Sequence, residues 1–447
     1  MPLTGNPNPQ GGALRLFVSI AGAQLVGLAV AIFLVTGPAA GDSEATITGS
    51  VLLAFGLGWG LLALLSTRFT DQPQRWAVVP AAAMGLVGMG LVVAQPSTDV
   101  IGILSWIWPL ALVALVVFMV INARASLHSR LRRWVLYPVL AIYVLMAVGG
   151  MAEAVLELGD HAGPMTGQLV DVGDHRLRIN CTGEGSPTVV LESGLGDASF
   201  YWARISAAVA STTRVCVYDR AGRGWSESAP GPQDGLAIAA DLHTLLAESG
   251  NAGPYVLVGH SSGGVYVRIF AAKYPDDVVG MVLLDSQPVD PFTQLPTYSA
   301  FYDSTHVLYG ILPSVARLGV FRLAYASAYA DLPEPARDQE RADQASVRLQ
   351  TSARLEVAQL RASLREATDL TSLDGLPLVV VTAGLQAQEG WVAASDGLVA
   401  LSTNVSHRIL PDMEHSALIT SESGAAASSE AILDVVAAVR TGAPLAT

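Results

Sequence analysis

The sequence of 447 residues is poor in charged residues, in aromatics and in cysteine. Charged residues make up 14% of the chain, whereas soluble globular proteins contain about 25%, so an ordinary cytosolic enzyme is disfavoured. With 51% hydrophobic residues and a mean hydropathy of +0.44, the chain is too apolar to remain disordered. A net charge of −13 and 7% aromatics argue against a nucleic-acid partner, because polyanions repel acidic surfaces and base stacking needs aromatic side chains.

The few charges are distributed unevenly along the chain. Residues 1–150 hold seven arginines and four acidic residues, a net charge of +3, so the remainder carries −16. Five uncharged, apolar stretches lie in this first part, at 16–36, 46–66, 76–94, 100–122 and 134–152. Because a helix of about 20 apolar residues crosses the hydrocarbon core of a bilayer, we predict a transmembrane domain of about five helices over residues 1–155.

Arginines occupy alternate loops between these stretches. The loops at 67–75 and 123–133 carry arginines, whereas the loops at 37–45 and 95–99 carry only acidic residues, namely Asp42, Glu44 and Asp99. The positive-inside rule then predicts a cytoplasmic N-terminus. Five crossings of the cell membrane place the rest of the chain outside the cytoplasm, and loss of the fifth span would reverse that placement.

The interior of the predicted spans is rich in glycine and free of charge. Gly56, Gly58, Gly85 and Gly88 suggest close packing between helices. A proton or ion pathway normally needs an ionisable residue within the membrane, and none occurs in the middle of a span. The bundle is therefore predicted to be an anchor rather than a transporter.

From about residue 165 to 445 the pattern changes to short apolar stretches that alternate with helical ones. The predicted strands are 168–172, 175–180, 188–192, 214–218, 255–259, 279–285, 378–382 and 406–410, and the predicted helices include 236–249, 264–274 and 428–440. Short apolar strands that alternate with helices are typical of a mostly parallel sheet covered on both faces.

The sequence Gly259-His260-Ser261-Ser262-Gly263 has the form G-x-S-x-G and lies directly between a predicted strand and a predicted helix. The two glycines permit a sharp turn, so Ser261 projects above the carboxyl end of the sheet, where a base can reach it. The N-terminus of the following helix favours the negative charge that develops on a substrate. The alternative is a glycine-rich turn without catalytic function.

His415 is the best-placed base. It follows the last predicted strand and precedes the C-terminal helix, in agreement with the chain order Ser, acid, His. His407 lies inside the last strand and His260 flanks the nucleophile, so both are expected to be structural. His128 falls in an arginine-rich loop on the opposite side of the predicted membrane.

Together these features resemble the α/β-hydrolase superfamily, in its serine esterase and haloperoxidase-like branch. The resemblance covers about residues 165–445 and rests on the SGLG sequence at 193–196, the YDRAGRGWS sequence at 218–226, the motif at 259–263, and His415. It implies an eight-stranded, mostly parallel sheet and an oxyanion hole formed by the backbone N–H groups of Leu195 and Ser262. Ser193 replaces the histidine that the family usually has before Gly194, which leaves the backbone donors in place.

The resemblance also implies an acidic residue that holds the histidine in the correct tautomer. The usual G-x-x-D pattern after the seventh strand is absent, and Glu389 is the acidic residue available there. Other members carry the acid after the sixth strand, where this chain has Asp285. We therefore expect Asp285 to be the acid, with Glu389 as the alternative.

Two further expectations come from the same resemblance. A helical insertion over about 287–375 stands where the family has a lid. Its apolar beginning favours an apolar acyl or alkyl group in the substrate, although simple packing on the core explains it equally well. Cys181 and Cys216 lie on strands that are neighbours in the family's sheet order, so a disulfide is expected in an oxidising compartment, with two free buried thiols as the alternative.

The sequence thus predicts a membrane-anchored serine hydrolase that cleaves small or lipid-like carboxylic esters without a metal or organic cofactor. Its partners would be the substrate and the bilayer, with no nucleic acid. An acyltransferase using the same residues and an inactive sensor or scaffold are the alternatives. A dehalogenase or epoxide hydrolase with an aspartate nucleophile is disfavoured, because Ser261 occupies the nucleophile position.

Overall fold

The computed structural model describes residues 9–37, 43–70, 72–127, 130–160 and 165–446. It divides into two compact units. The first contains Met1–Leu156 and Gly310–Val320, and the second contains Glu157–Tyr309 and Phe321–Thr447. Asp42 and His128, which were named above, lie outside the described residues.

The first unit is helical. Its helices are α1 (Pro9–Thr36), α2 (Glu44–Phe69), α3 (Val78–Ala94), α4 (Thr98–Leu104), α5 (Trp108–Ser126) and α6 (Arg130–Glu157). Among the described residues, five helical segments are long and apolar enough to cross a membrane: Phe17–Thr36, Glu44–Phe69, Arg75–Ala94, Trp108–Ser126 and Leu136–Glu157.

The fourth segment differs from the sequence prediction of 100–122. The chain forms the short helix α4, turns at residues 105–107, and only then begins α5 at Trp108. Pro109 lies in the first turn of α5, where its missing N–H would have no intrahelical partner. The span is therefore shifted toward the C-terminus and ends at Ser126, beyond Arg124.

Glycines bring α1, α2 and α3 into close contact. A Cβ atom added to Gly56 would lie 2.9 Å from the backbone nitrogen of Gly85, and one added to Gly88 would lie 2.6 Å from the carbonyl oxygen of Gly49. A Cβ on Gly58 would lie 3.1 Å from the carbonyl oxygen of Ala23. Small residues therefore set the packing distance between these helices, as glycines do in many membrane bundles.

The second unit is built on one eight-stranded sheet. Its strands are β1 (Gln168–Asp171), β2 (Arg176–Thr182), β3 (Thr188–Glu192), β4 (Val215–Tyr218), β5 (Tyr255–His260), β6 (Val278–Leu284), β7 (Leu378–Ala383) and β8 (Val405–Leu410). The strand order is β1-β2-β4-β3-β5-β6-β7-β8. The β1–β2 and β2–β4 pairs are antiparallel, and all other pairs are parallel.

Helices cover both faces of this sheet. The helices that follow β3 along the chain, including those of the insertion, are α7 (Ala203–Ala210), α8 (Gly235–Glu248), α9 (Gly263–Lys273), α10 (Pro291–Gln294), α11 (Tyr298–Ala316), α12 (Val320–Ala324), α13 (Ala336–Ala345), α14 (Val347–Glu366), α15 (Trp391–Ala394), α16 (Asp396–Val399), α17 (Ala417–Thr420) and α18 (Glu422–Thr441). Alternate strand residues enter two separate cores, because side chains of a strand point to opposite faces. Leu257 packs with α8 and α9, whereas Val256 and Val258 pack with α7 and α18.

Cys181 and Cys216 lie directly opposite each other on the antiparallel strands β2 and β4. Their sulfur atoms are joined in a disulfide. The bond ties an antiparallel edge of the sheet to its parallel centre.

The insertion between β6 and β7 contains α10 to α14, but it does not lie wholly in the second unit as the sequence predicted for 287–375. Gly310–Val320, which includes the C-terminal part of α11, clusters with the first unit. There Arg317 forms an ion pair with Glu44 and donates a 2.7 Å hydrogen bond to Ser105 Oγ. Glu44 is 2% exposed, and a buried carboxylate of this kind needs a cationic partner.

Candidate active site

Ser261 stands on a sharp turn between β5 and α9. Its φ angle is +56°, a left-handed conformation that costs a non-glycine residue about 1–3 kcal/mol and is often found at functional sites. The Ser261 N–H donates a 3.0 Å hydrogen bond to the Leu284 carbonyl at the end of β6. The turn is therefore held to the neighbouring strand while the side chain remains partly accessible.

The two glycines of the motif are required by the space around this turn. A Cβ on Gly259 would lie 2.5 Å from the Cα of Gly264, and a Cβ on Gly263 would lie 2.4 Å from the carbonyl oxygen of Glu192. Real Cβ atoms do not approach other atoms so closely. The close passage of α9 over β3 and β5 thus explains the glycines at these positions.

Asp285 and His415 are brought together at the carboxyl ends of β6 and β8. Asp285 Oδ2 lies 2.5 Å from His415 Nδ1. Asp285 Oδ1 accepts hydrogen bonds from the Ala383 N–H at 3.2 Å and from Trp391 Nε1 at 2.8 Å. Because Asp285 is 5% exposed and both its oxygens have donors, the carboxylate is fixed in orientation.

The alternative acid, Glu389, is exposed in the loop after β7. Among the described residues no hydrogen bond joins it to His415. In the same described part of the chain, Ser261 Oγ and His415 Nε2 make no direct hydrogen bond either. Such bonds are often long without substrate and tighten when the reacting complex forms. In the described residues His415 is therefore hydrogen-bonded to Asp285 and to neither Glu389 nor Ser261.

His260, the residue before Ser261, packs against His415. It is 2% exposed, its ring centroid is 4.6 Å from that of His415, and its Nε2 lies 3.2 Å from the His415 carbonyl oxygen. This contact fixes the backbone of His415 next to the residue that precedes Ser261. His407 is a partner of Thr382 within the sheet, at 2.9 Å, and burial lowers its pKa.

The two backbone groups expected to form an oxyanion hole are free. Within the described residues, neither the Leu195 N–H nor the Ser262 N–H donates a hydrogen bond. Ser262 immediately precedes α9, and the loop that holds Leu195 follows β3. A Cβ placed on Gly194 would lie 3.2 Å from the Ser261 Cβ, so this loop runs directly past the serine.

A buried group of charges lies beneath the loop that carries Leu195. Arg220 and Arg223 come from the segment after β4, Glu192 ends β3, and Glu356 belongs to α14. Burial acts to raise the pKa of Glu356, but the two adjacent arginines outweigh it and lower that pKa. Burial raises the pKa of Glu192 more than Arg220 lowers it. Of the two acids, Glu356 is therefore the one whose ionised form the two arginines stabilise.

A second acidic region lies on α13. Burial raises the pKa of Asp343 to about 6, although the carboxylate accepts a 3.0 Å hydrogen bond from the Gly224 N–H. Burial also raises the pKa of Glu340, with the nearby Asp343 adding to the effect. Both carboxyl groups therefore have a pKa above that of an ordinary carboxylate.

The sequence alone does not identify Trp391 as a partner of Asp285, or Arg223 and Glu356 as members of the buried group of charges. Trp391 begins the short helix α15 after the irregular segment that follows β7, and Glu356 lies in a helix whose sequence is amphipathic like many others. No local sequence pattern predicts the contacts that these side chains make. Arg220 and Arg223 belong to the YDRAGRGWS sequence at 218–226. Its repeated arginines and glycines are the sequence signal for this buried group of charges.

Comparisons with known proteins identify the fold of the second unit. Residues 187–324 match the family model described as alpha/beta hydrolase fold. A solved protein from Acinetobacter baumannii AYE, lip1, described as a candidate lipase, superposes over 65% of this chain and 96% of its own with a TM-score of 0.52 and 17% identity. The second unit has the alpha/beta-hydrolase fold. The predicted fold class, with an apolar helical region before a mostly parallel eight-stranded sheet, is thereby confirmed.

Curated relatives match shorter parts of the chain. A fluoroacetate dehalogenase from Burkholderia is 33% identical over 140 residues, which is 30% of this chain and 42% of the relative. An uncharacterized vacuolar membrane protein of Saccharomyces cerevisiae is 33% identical over 104 residues, which is 22% of this chain and 16% of the relative. For three other relatives the matched region spans 20%, 14% and 46% of their length.

Proposed function

We propose that the alpha/beta-hydrolase unit is a serine hydrolase that cleaves carboxylic esters and is held at a membrane by the N-terminal helices. One observation carries the proposal. Ser261 stands on a strained turn, the preceding His260 contacts the His415 carbonyl of the Asp285–His415 pair, and the free Ser262 and Leu195 N–H groups follow Ser261 and its neighbour Gly194. A nucleophile, an oriented base and an oxyanion site are the three parts that acyl transfer needs.

In the proposed reaction, His415 Nε2 removes the proton of the Ser261 hydroxyl as its oxygen attacks the ester carbonyl carbon. The N–H groups of Leu195 and Ser262 stabilise the negative oxygen of the tetrahedral intermediate. His415 then gives its proton to the departing alcohol, which leaves an ester on Ser261. Water, deprotonated by His415, attacks this ester and releases the carboxylic acid and free Ser261. Asp285 stabilises the imidazolium in both halves.

The insertion supports a substrate with an apolar acyl or alkyl group. In the second unit, the insertion exposes Phe301, Leu308 and Leu323, at 49%, 54% and 84%. Apolar side chains that together form a contiguous exposed patch commonly mark surfaces that bind apolar partners, and these three would contribute to such a surface on the insertion. A lipid-like ester is therefore preferred over a charged one.

A serine at the turn favours ester hydrolysis over dehalogenation, even though one relative is named as a fluoroacetate dehalogenase. Dehalogenation through a covalent ester requires a carboxylate nucleophile, and Ser261 supplies a hydroxyl. An acyltransferase remains the second candidate, since it differs only in the acceptor that attacks the acyl-enzyme. Supplying short alcohols with the ester and measuring the ratio of new ester to acid separates the two activities.

The enzymatic proposal is tested with the full chain in membranes and a fluorophosphonate probe, which reacts with activated serines. Wild-type protein should be labelled and should hydrolyse a series of p-nitrophenyl esters. Ser261→Ala and His415→Ala should abolish both. Labelling that persists in Ser261→Ala, or its absence in correctly folded wild type, would contradict the proposal and favour an inactive sensor or scaffold.

The arginine pattern of the loops further supports a cytoplasmic N-terminus and a hydrolase unit outside the cytoplasm. Lys273 is the only lysine of the chain and is exposed on the second unit. A membrane-impermeant amine reagent applied to intact cells should therefore modify Lys273, with Lys273→Arg as the control. Modification only after lysis would place the hydrolase unit inside.

A further inference from the structure

Two buried arginines hold one peptide group next to Ser261. The Gly194 carbonyl oxygen accepts hydrogen bonds from Arg220 Nη2 at 2.7 Å and from Arg223 Nη1 at 3.0 Å. Arg220 Nη1 also donates to the Ser193 carbonyl at 2.7 Å, and Arg223 Nη1 donates to the Asp197 carbonyl at 2.8 Å. The carbonyl groups of this loop are therefore turned toward the arginines.

The orientation of the Gly194 carbonyl determines that of the Leu195 N–H. Both belong to the same planar peptide group, which is trans, and in a trans peptide the C=O and N–H point in opposite directions. Arginines on the carbonyl side thus leave the Leu195 N–H on the opposite side. That N–H has no acceptor among the described residues, and the peptide begins at Gly194, next to the Ser261 Cβ.

The hydrogen bonds to the Gly194 carbonyl also strengthen the Leu195 N–H as a donor. Cations bound to a carbonyl oxygen polarise the peptide, and hydrogen bonds in series strengthen one another. The Leu195 N–H is therefore a better donor to a negative oxygen than an ordinary amide. A single donor of an oxyanion hole is commonly worth a factor of about 10²–10³ in kcat.

Glu356 holds the two arginines from the lid insertion. Its Oε1 lies 2.8 Å from Arg220 Nε and 2.7 Å from Arg223 Nη2. Arg220, Arg223 and Glu356 are 4%, 0% and 2% exposed. With Glu192, which pairs with Arg220, the group contains two cations and two acids. Buried charges are tolerated only when paired in this way, so removal of one acid would disturb both arginines.

We propose that Arg220, Arg223 and Glu356 are positioning residues of the oxyanion hole, in which the arginines fix the Gly194–Leu195 peptide and Glu356 fixes the arginines from the lid helix α14. The proposal rests on the serine-hydrolase function proposed above. It makes the lid insertion a structural part of the oxyanion site as well as a cover.

The test compares an oxygen ester with the matching thionoester on the full chain in detergent. Sulfur accepts hydrogen bonds poorly, so thionoester cleavage draws less on the oxyanion hole. The double variant Arg223→Gln/Glu356→Gln removes one cation and one acid and so keeps the charge balance. We expect kcat for the oxygen ester to fall about 10²–10³-fold with KM changed less than threefold, and kcat for the thionoester to fall less than tenfold.

Two further variants keep the test decisive. Should the double variant not fold, Glu356→Gln alone retains the shape of the side chain and should lower the ester to thionoester ratio at least fivefold. Glu366→Gln, on the same helix, should leave the ratio unchanged. Equal losses on both substrates, or a loss confined to KM, would overturn the positioning role alone. A wild type without Ser261-dependent hydrolysis would overturn the proposed function, and the positioning role with it.

Discussion

Asp285 Oδ2 lies 2.5 Å from His415 Nδ1, although the two residues are 130 positions apart in the chain. The contact makes Nδ1 the protonated nitrogen of a neutral imidazole and leaves Nε2 free to accept a proton in the proposed reaction. Removing the charge should therefore disturb the tautomer without removing the side chain. Asp285→Asn is expected to lower kcat about 10³–10⁴-fold in the full chain, measured on a p-nitrophenyl ester.

Glu389→Gln is the matched control for that prediction. Glu389 is the other acid proposed from the sequence, and it is exposed. Its amide variant should retain wild-type kcat and KM within about twofold. A large loss in Glu389→Gln together with an active Asp285→Asn would reverse the assignment of the acid.

Trp391 supplies the side-chain hydrogen bond to the other oxygen of Asp285, at 2.8 Å. Trp391→Phe removes this donor and keeps an aromatic ring. A hydrogen bond to a charged group is worth about 1.5–3 kcal/mol, so we expect kcat to fall about tenfold or more with little change in KM. An unchanged kcat would mean that the Ala383 N–H alone holds the carboxylate.

Gly263 is the second glycine of the motif, and its replacement should damage the turn. A Cβ there would lie 2.4 Å from the Glu192 carbonyl oxygen. Gly263→Ala is expected to lower the free energy of unfolding by about 1–3 kcal/mol and to abolish fluorophosphonate labelling. Gly231→Ala, where nothing lies within 4 Å of the added Cβ, should change neither thermal unfolding nor labelling.

Asp343 should make stability depend on pH in the mildly acidic range. Its pKa is raised from 3.8 to about 6 by burial, so the folded protein binds a proton more tightly than the unfolded chain. The stabilisation from protonation is complete below about pH 4 and is lost as the pH rises through 6. Relative to Asp343→Asn, wild type should gain on the order of 2–3 kcal/mol in free energy of unfolding between pH 7 and pH 4.

The control for this pH dependence is Asp338→Asn on the same helix. The Asp338 side chain is 65% exposed and should give the same pH profile as wild type. Unfolding is followed for the full chain in detergent at several pH values. Parallel profiles for wild type and Asp343→Asn would contradict the prediction.

The Cys181–Cys216 disulfide should contribute to stability. It closes a loop with a sequence separation of 35, and removal of such bonds commonly costs about 2–4 kcal/mol. Replacement of both cysteines by serine should lower the thermal unfolding temperature. A reductant should lower it for wild type and leave the double variant unchanged, because the chain has no other cysteine.

The sheet and the position of Ser261 were accessible from the sequence because both depend on local patterns. The stretch 188–192 has the apolar centre Val189–Leu191, and it forms β3 with the predicted bounds. The G-x-S-x-G spacing was informative because it lay between a strand and a helix. The C-terminal helix was predicted to begin at 428, but it begins at Glu422, since Ser421 caps it by accepting a 3.0 Å hydrogen bond from the Gly424 N–H.

Contacts between distant parts of the chain were not accessible in the same way. Glu356 meets Arg220 across 136 positions, and neither side chain has a sequence neighbour that implies the other. The interruption before α5 likewise depends on a turn at 105–107 within an uncharged stretch, where hydropathy alone shows no boundary. Burial and pairing, which decide these cases, are properties of the folded chain.

The placement of Gly310–Val320 has a practical consequence for production of the protein. A shortened chain that begins after α6 would keep Arg317 but lose Glu44 and Ser105, its partners in the first unit. A cation and an apolar stretch that are now half-buried would then face water. Soluble fragments of the second unit are therefore expected to aggregate or to differ in behaviour from the intact protein, and screening for substrates should begin with the detergent-solubilised whole chain.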